Sequence, residues 1–435
     1  MIDFAGAAVE SRDWMTMSPR WLVVRLRISG AMSALGNGMT GVAVTVYLAT
    51  VLPAQWVGVA LTALSLGMLF SFAHGGHYAD THGRVRIMIV ADLVRAAATL
   101  TVVAAALAPT VATAVLLAVV GCLANGLAVG YYRPSLAAYW SSVVPADALA
   151  DTLAENSIIN RIGLAAGAGL GGAFIAMSQP AIVLAIDAGT FVVSAVIVIG
   201  LRDARELPAR TDRSAGAQIV NLVRLDRQWA GLFTVAARVG WMPRLLAVGI
   251  AMSVVTALHN VVMPIVLTQR YTPAAVGVFL TLPVWALLAG SVASRFWRRA
   301  KYIGVLDWWG KTGSSVSGLF LAAGVPIGVS VACNTSGSLA QATADPKISA
   351  FVGRAYPESE RGQIFAAQMG ASSSLGAVGM LLASLLMTVA TPTHALVIAS
   401  AAGIGITAVL LVSKAYLRLA LDGRSTAVTE AGVST

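Results

Sequence analysis

The stretch GGHYADTHGRVR, residues 75 to 86, is a polar island between two long apolar runs, and its reading decides the fold. Gly76, Asp80, Gly83, Arg84 and Arg86 form the pattern G-x-x-x-D-x-x-G-R-x-R. The spacing has a physical sense for a tight loop at a membrane edge. Gly76 lets a helix end approach its neighbour, Asp80 suits the positive N-terminal end of another helix, and Gly83 turns the chain before two arginines.

The surrounding composition requires a bilayer. Of 435 residues, 57% are hydrophobic and 11% charged, with a mean hydropathy of +0.80; soluble domains carry about 25% charged residues. Twelve apolar stretches are long enough to span. They fall near 22–50, 56–78, 87–107, 111–133, 152–177, 181–201, 243–268, 274–293, 302–323, 325–345, 363–390 and 392–417. The first twenty residues carry Glu10, Arg12, Asp13 and Arg20 without an apolar core, so no cleavable signal peptide is expected. The fold class expected is an all-α membrane protein of twelve transmembrane helices.

The net charge of +10 does not point to nucleic acid, because the 29 Lys and Arg alternate by loop. With a cytoplasmic amino terminus, the even-numbered connections and both termini hold nearly all of them, and the outer connections hold only Arg270. Arg95, Arg161 and Lys311 lie within spans. This positive-inside pattern predicts a multi-pass protein with both termini in the cytoplasm, facing acidic lipid. Cys122 and Cys333 sit in apolar spans and read as small core residues. An excess of Arg over Lys, with abundant Ala and Gly, suggests a bacterial cytoplasmic membrane as the location.

The chain repeats itself. Ala31, Met32 and Ser33 recur as Ala251, Met252 and Ser253 at an offset of 220, and VGVALT from Val57 recurs as VGVFLT from Val276 at 219. Pro134, Pro145 and Gly167 recur as Pro346, Pro357 and Gly379 at 212, and a degenerate second copy of the polar island stands at Gly290, Ser294, Trp297 and Arg298. This collinearity predicts two six-helix, pseudo-symmetric halves. The organisation is a segment 1–21, a bundle 22–201, a linker 202–242, a second bundle 243–417 and a tail 418–435. The linker's apolar positions, among them Leu222, Leu225, Trp229 and Phe233, predict an interfacial amphipathic helix.

The polar island resembles the loop between the second and third helices of the major facilitator superfamily. A second element points the same way. GLAAGAGLGG, from Gly163, places Gly163, Gly167 and Gly171 four apart, a flat face for close helix packing. With Gly172 the run resembles the antiporter motif of drug exporters, G-x-x-x-G-P-x-x-G-G, although Ala168 stands where that motif has proline. Tyr131 to Ser157, the Asp187 of IDAGTF, and Tyr356 to Gln368 resemble the branch of multidrug and enterobactin-type siderophore exporters. An arginine-bearing R-x-x-x-G motif in the fourth span is not found. The resemblance implies alternating access, export of an organic small molecule such as a drug, antibiotic or siderophore-like metabolite, and energy from a proton gradient. It implies a non-enzymatic transporter without a bound cofactor, working as a monomer in lipid.

Intramembrane charges are the local evidence for function, since each costs several kcal/mol unless paired or facing water. Asp92 and Arg95, one turn apart, read as a structural charge cluster with Asp80 and Arg84. Arg161 lies about 15 Å along its helix, too deep to snorkel, and is the first candidate for a cavity residue. Asp307 and Lys311, four apart, face each other and either neutralise one another or take part in coupling. His259 and Asn260 lie near mid-span, and the repeat places Asn260 opposite Thr40, close to Asn37; these four are candidates for a central cavity. For the glycine stripe, bulk at Gly171 is expected to impair packing more than bulk at Gly130, outside the stripe.

Two other patterns carry no function. GVLDWWGKT, from Gly304, has one residue too many for a phosphate-binding loop and lies in an apolar span. His74, His77 and His82 flank the polar island and have no acidic or thiol company except Asp80, so no metal is expected. Two further readings of function stay open from sequence: an importer of a small metabolite, and a non-transporting membrane receptor or scaffold with the same fold.

Overall fold

The computed structural model describes residues 20–144, 146–177, 179–199, 201, 241–296, 302–355 and 375–417. The terminal segments, the linker 202–240, the second-copy positions Trp297 and Arg298, and residues 356–374 lie outside this description, as do the side chains of residues 72–82, Gly76 and Asp80 among them. Every described element is helical.

The long helices among the described residues run α1 Arg20–Val51, α2 Ala54–His82, α3 Arg84–Ala104, α4 Val111–Val143, α5 Ala146–Ala176, α6 Pro180–Ile199, α7 Met242–Arg270, α8 Pro273–Phe296, α9 Ile303–Ala322, α10 Ile327–Ala355, α11 Leu375–Val389 and α12 Pro392–Ala408. A short α13, Lys414–Leu417, follows. Among the described residues, nine are long and apolar enough to cross a membrane: α1 to α8 and α12. Asp307, Lys311, Asp345 and Lys347 lower the hydropathy of α9 and α10, which pack as the other helices do.

The expectation of a loop over 75–86 is corrected. The backbone of α2 stays helical to His82, and the turn is one residue, Gly83, with φ +89°. Polar residues at the end of a span mark passage into the headgroup region without breaking the helix, whose hydrogen bonds are internal. Only the glycine, free to adopt positive φ, reverses the chain.

The packing repeats between the halves. In the first half α1 packs on α5 and α6, and α4 on α2 and α3; in the second α7 packs on α12, and α10 on α8 and α9. The α1/α5 contact has its counterpart in α7/α11. A Cβ on Gly167 would strike the Leu35 carbonyl, and one on Gly379, its repeat partner, would strike that of Val254.

We call near the face from which α1 starts, and far the face where it ends. Towards the far side, one apolar core draws on both halves, with Val42, Val57 and Ile175 packed in the same cluster as Val262, Val266 and Phe279. Towards the near side, a second core of Leu26, Met88, Tyr132, Tyr139, Trp140 and Val198 belongs to the first half. The molecule is therefore closed on the far side. Arg270 ends α7 there, where its guanidinium donates to the Leu321 and Ala322 carbonyls and to Thr393, capping the end of α9.

Candidate functional site

Among the described residues, polar side chains gather inside the first half and at the contact between halves. The first of these regions surrounds Arg95, which is 3% exposed. Its Nη1 lies 3.5 Å from Asp92 Oδ1 and donates to Ser33 at 3.3 Å, and its Nη2 donates to Asn37 Oδ1 at 2.6 Å. The guanidinium carbon sits 3.7 Å from the centre of the Phe191 ring. Asp92 also accepts from Ser194 at 2.7 Å, and Ser194 shares a hydrogen bond with Ser29. About two turns of α6 from Ser194 towards the far side, the carboxylate of Asp187 accepts from Thr40 and Thr190. Helices α1, α3 and α6 thus hold two carboxylates and one guanidinium, and Asp92 and Asp187 are wholly buried.

The second region lines a cavity of about 120 Å³ bounded by Arg161 and Leu164 of α5, Val284 and Ser291 of α8, and Ala342 and Asp345 of α10. Arg161 donates to Ser291 at 2.9 Å across the halves. Asp345 lies within electrostatic reach of Arg161 and of Lys311. At roughly 30 Å³ per water, the cavity holds a few waters or one small polar group, well short of the roughly 300 Å³ at which ligand pockets begin. Behind it, Asp307 is buried and clasped between Lys311 and the hydroxyl of Tyr416.

At its far end this contact is closed by glycine: α5 crosses α8 at Gly172 and Gly277, and α2 meets α11 at Gly58 and Ser384. These crossings are related by the repeat, since Gly58 corresponds to Gly277 at an offset of 219 and Gly172 to Ser384 at 212.

Residues 26–337 match the model of the Major Facilitator Superfamily. The chain belongs to that superfamily. It is a multi-pass membrane protein and a transporter of this fold. Among solved structures, a bacterial homologue of the iron transporter ferroportin in its inward-facing state superposes with a TM-score of 0.67 at 14% identity, over 91% of this chain and 99% of that one. The D-xylose-proton symporter gives 0.66 at 16% identity, over 90% and 97%. The nucleoside transporter NupG gives 0.64 at 12% identity, over 90% and 98%. At these identities the likeness shows the fold alone. No curated protein matches the chain.

The facilitator fold separates the candidate residues by environment. Asn37 and Arg161 are exposed, Thr40 is half-buried, and Asn260 is exposed on α7. His259 is a correction: it is 3% exposed, with Nδ1 at 2.9 Å from the Val255 carbonyl and Nε2 at 3.0 Å from Ser400, so it ties α7 to α12 and does not line the cavity. The hydrogen-bond partners described for Asp92 and Arg95 come from α1 and α6, whereas the side chain of Asp80 lies outside the described residues.

The glycine stripe divides. Gly163, Gly167 and Gly171 seat α5 on α1, while Gly172 faces α8 in the other half. Gly130 is no open control, because a Cβ there would meet Ser71 and the Met68 carbonyl. Gly83 forms the turn, Arg84 opens α3 and Arg86 is exposed two residues on. Asp187, Asp345 and Tyr416 are members of these clusters that pattern reading passes over as site residues. For the two aspartates the signal is present, a carboxylate inside a span; for Tyr416 nothing local distinguishes it.

Proposed function

We propose that this facilitator exports an organic small molecule, of the drug, antibiotic or siderophore-like class, from the cytoplasm of a bacterial cell by proton antiport. The observation that carries the reading is the paired glycine crossings, Gly172 with Gly277 and Gly58 with Ser384, at the far end of a contact whose middle is polar. Two halves that touch through bare backbone at one end can rock about it, which is the motion alternating access needs. Arg161 and Asp345 give the contact between the halves one cation and one anion among apolar walls, the polarity an amphipathic organic cargo would meet once the halves part and the cavity of about 120 Å³ widens.

Charge orients the protein in the membrane, and the glycine stripe supports the direction. The near side is rich in Lys and Arg and takes the cytoplasmic position, so the far-closed arrangement is inward-facing. The stripe from Gly163 to Gly172 supports export through its likeness to the antiporter motif. The protein acts as a monomer in the bilayer, without cofactor or metal.

The test is flux in inverted membrane vesicles energised by a proton gradient, with a panel of labelled drugs and siderophores. Uphill accumulation in inverted vesicles, abolished by a protonophore, supports export. Accumulation only in right-side-out vesicles identifies an importer, and absence of flux of any panel compound in either orientation favours a receptor or scaffold.

A further inference from the structure

The cluster around Arg95 contains more anions than cations. Asp92 holds the ion pair with Arg95, whereas Asp187, equally buried, has hydroxyl donors and, among the described residues, no cation within ion-pair distance. Gly36 of α1 presses on Asp187, since a Cβ there would strike both its carboxylate and the Thr190 hydroxyl. Neither water nor a long cationic side chain has room to enter from that side.

The other groups around Asp187 do not supply the missing charge. From α1 it faces Thr40 and Gly36; from α3, Arg95 and Asp92. On α4, Tyr132 lies beyond Arg95, and the next cation, Arg133, is exposed. The part of α5 past Arg161, which leads into α6, has no titratable side chain. Among the described residues Asp92 Oδ1 accepts no hydrogen bond while Arg95 Nε donates none, so the donors of the cluster are not placed to compensate a second full negative charge. A buried carboxylate in that position takes up a proton rather than remain charged.

We propose that Asp187 is a proton-binding site, loaded from the cleft through Thr40 and Asn37. Arg95 of α3, flanked by Tyr132 of α4, reaches Asn37 on α1, and among the described residues α1 and α4 make no extended contact, so the exposed Asn37 lies towards the gap between them. Loading forms one O–H bond on a carboxylate oxygen of Asp187 and breaks one O–H bond of a hydronium ion in the cleft, which is left as water; nothing is oxidised or reduced. The Thr40 hydroxyl, a donor to the carboxylate, turns to accept from the carboxylic acid, and Arg95 is left with Asp92 as its one counter-charge. The bond that ties α1 to α6 thereby changes with protonation. The matching tie in the second half, His259 with Ser400, contains no carboxylate. The role in transport rests on the antiport reading above, while protonation itself does not.

The test is pH-difference infrared spectroscopy of the full-length protein in lipid, with no cargo added. A neutral-carboxyl band should appear on acidification of the wild type, disappear in Asp187→Asn and persist in Asp92→Asn. Asp187→Glu should retain the band at a shifted frequency, and this variant decides if Asp187→Asn does not fold. An unchanged band in folded Asp187→Asn, or an unshifted one in Asp187→Glu, overturns the assignment. So does displacement of the wild-type titration by sodium or potassium at fixed pH, which would make the site one for a metal cation. Because no flux is read, failure here is distinguishable from failure of the export reading.

Discussion

Gly172 on α5 and Gly277 on α8 meet backbone to backbone: a Cβ on Gly277 would lie 2.4 Å from the Gly172 carbonyl oxygen, and one on Gly172 would strike the Thr281 hydroxyl and lie 3.0 Å from the Gly277 carbonyl oxygen. This is the far-side crossing of the two halves. Gly172→Val is expected to cost about 1–3 kcal/mol, as overpacking does, and to slow transport sharply by forcing α5 off α8. Gly189→Leu, on α6 where nothing lies within 4 Å of an added Cβ, is expected to leave both nearly unchanged. Thermal melting and vesicle flux of the two variants, matched for expression, check this, and equal behaviour would remove the crossing as a pivot.

Arg95 is the hub of the first half. Arg95→Ala deprives the buried Asp92 of its ion pair, and breaking such a pair costs about 3–5 kcal/mol. Arg95→Lys is expected to recover only part of this, since an ammonium cannot bond Ser33 and Asn37 together while lying flat on Phe191. A lowered melting temperature for both, with the alanine variant lower, is the expected result. A melting curve for Arg95→Ala equal to that of the wild type would show that the cluster contributes nothing to the fold.

What could be read from sequence follows from what a bilayer selects. Span length and hydropathy are set by the hydrocarbon thickness, so twelve helices and their repeat are visible in the apolar runs. The end of α2 was not, because GGHYADTH is polar where the helix leaves the hydrocarbon, and polarity reports solvent while the backbone remains helical. His259 and Asn260 form one polar spot in sequence, yet adjacent residues on a helix point about 100° apart, so burying His259 against Ser400 turns Asn260 outward. The charge in the spans marks Asp187 and Asp345, but which helix supplies their partners is a matter of packing, and the hydroxyl of Tyr416 reaches Asp307 from beyond the last span.

The clasp on Asp307 reads as structural. Tyr416→Phe removes one hydrogen bond to a wholly buried carboxylate and is expected to cost about 1–3 kcal/mol while leaving flux per folded molecule intact. Lys311→Ala, which takes away the ion pair, is expected to cost more than Tyr416→Phe. Melting of each variant alongside flux normalised to folded protein measures both effects. Loss of flux in a stable Tyr416→Phe would instead assign Asp307 to coupling.

Arg161 gives the opposite expectation. It is exposed on the wall of the cavity, its described hydrogen bond goes to Ser291 of the other half, and Asp345 across from it is exposed too. Removing it therefore strands no buried charge, and Arg161→Ala is expected to lose only about 0.5–1.5 kcal/mol, the worth of one ordinary hydrogen bond. Its effect on flux should be large, because the cleft loses the guanidinium that meets anionic cargo or Asp345 as the halves rock. Arg161→Lys keeps the charge without the planar fork and should retain part of the activity. Melting temperature and vesicle flux, measured on the same preparations, separate the cases: a near-native melt with abolished flux places Arg161 in transport, and a stable, fully active Arg161→Ala would deny it any role there.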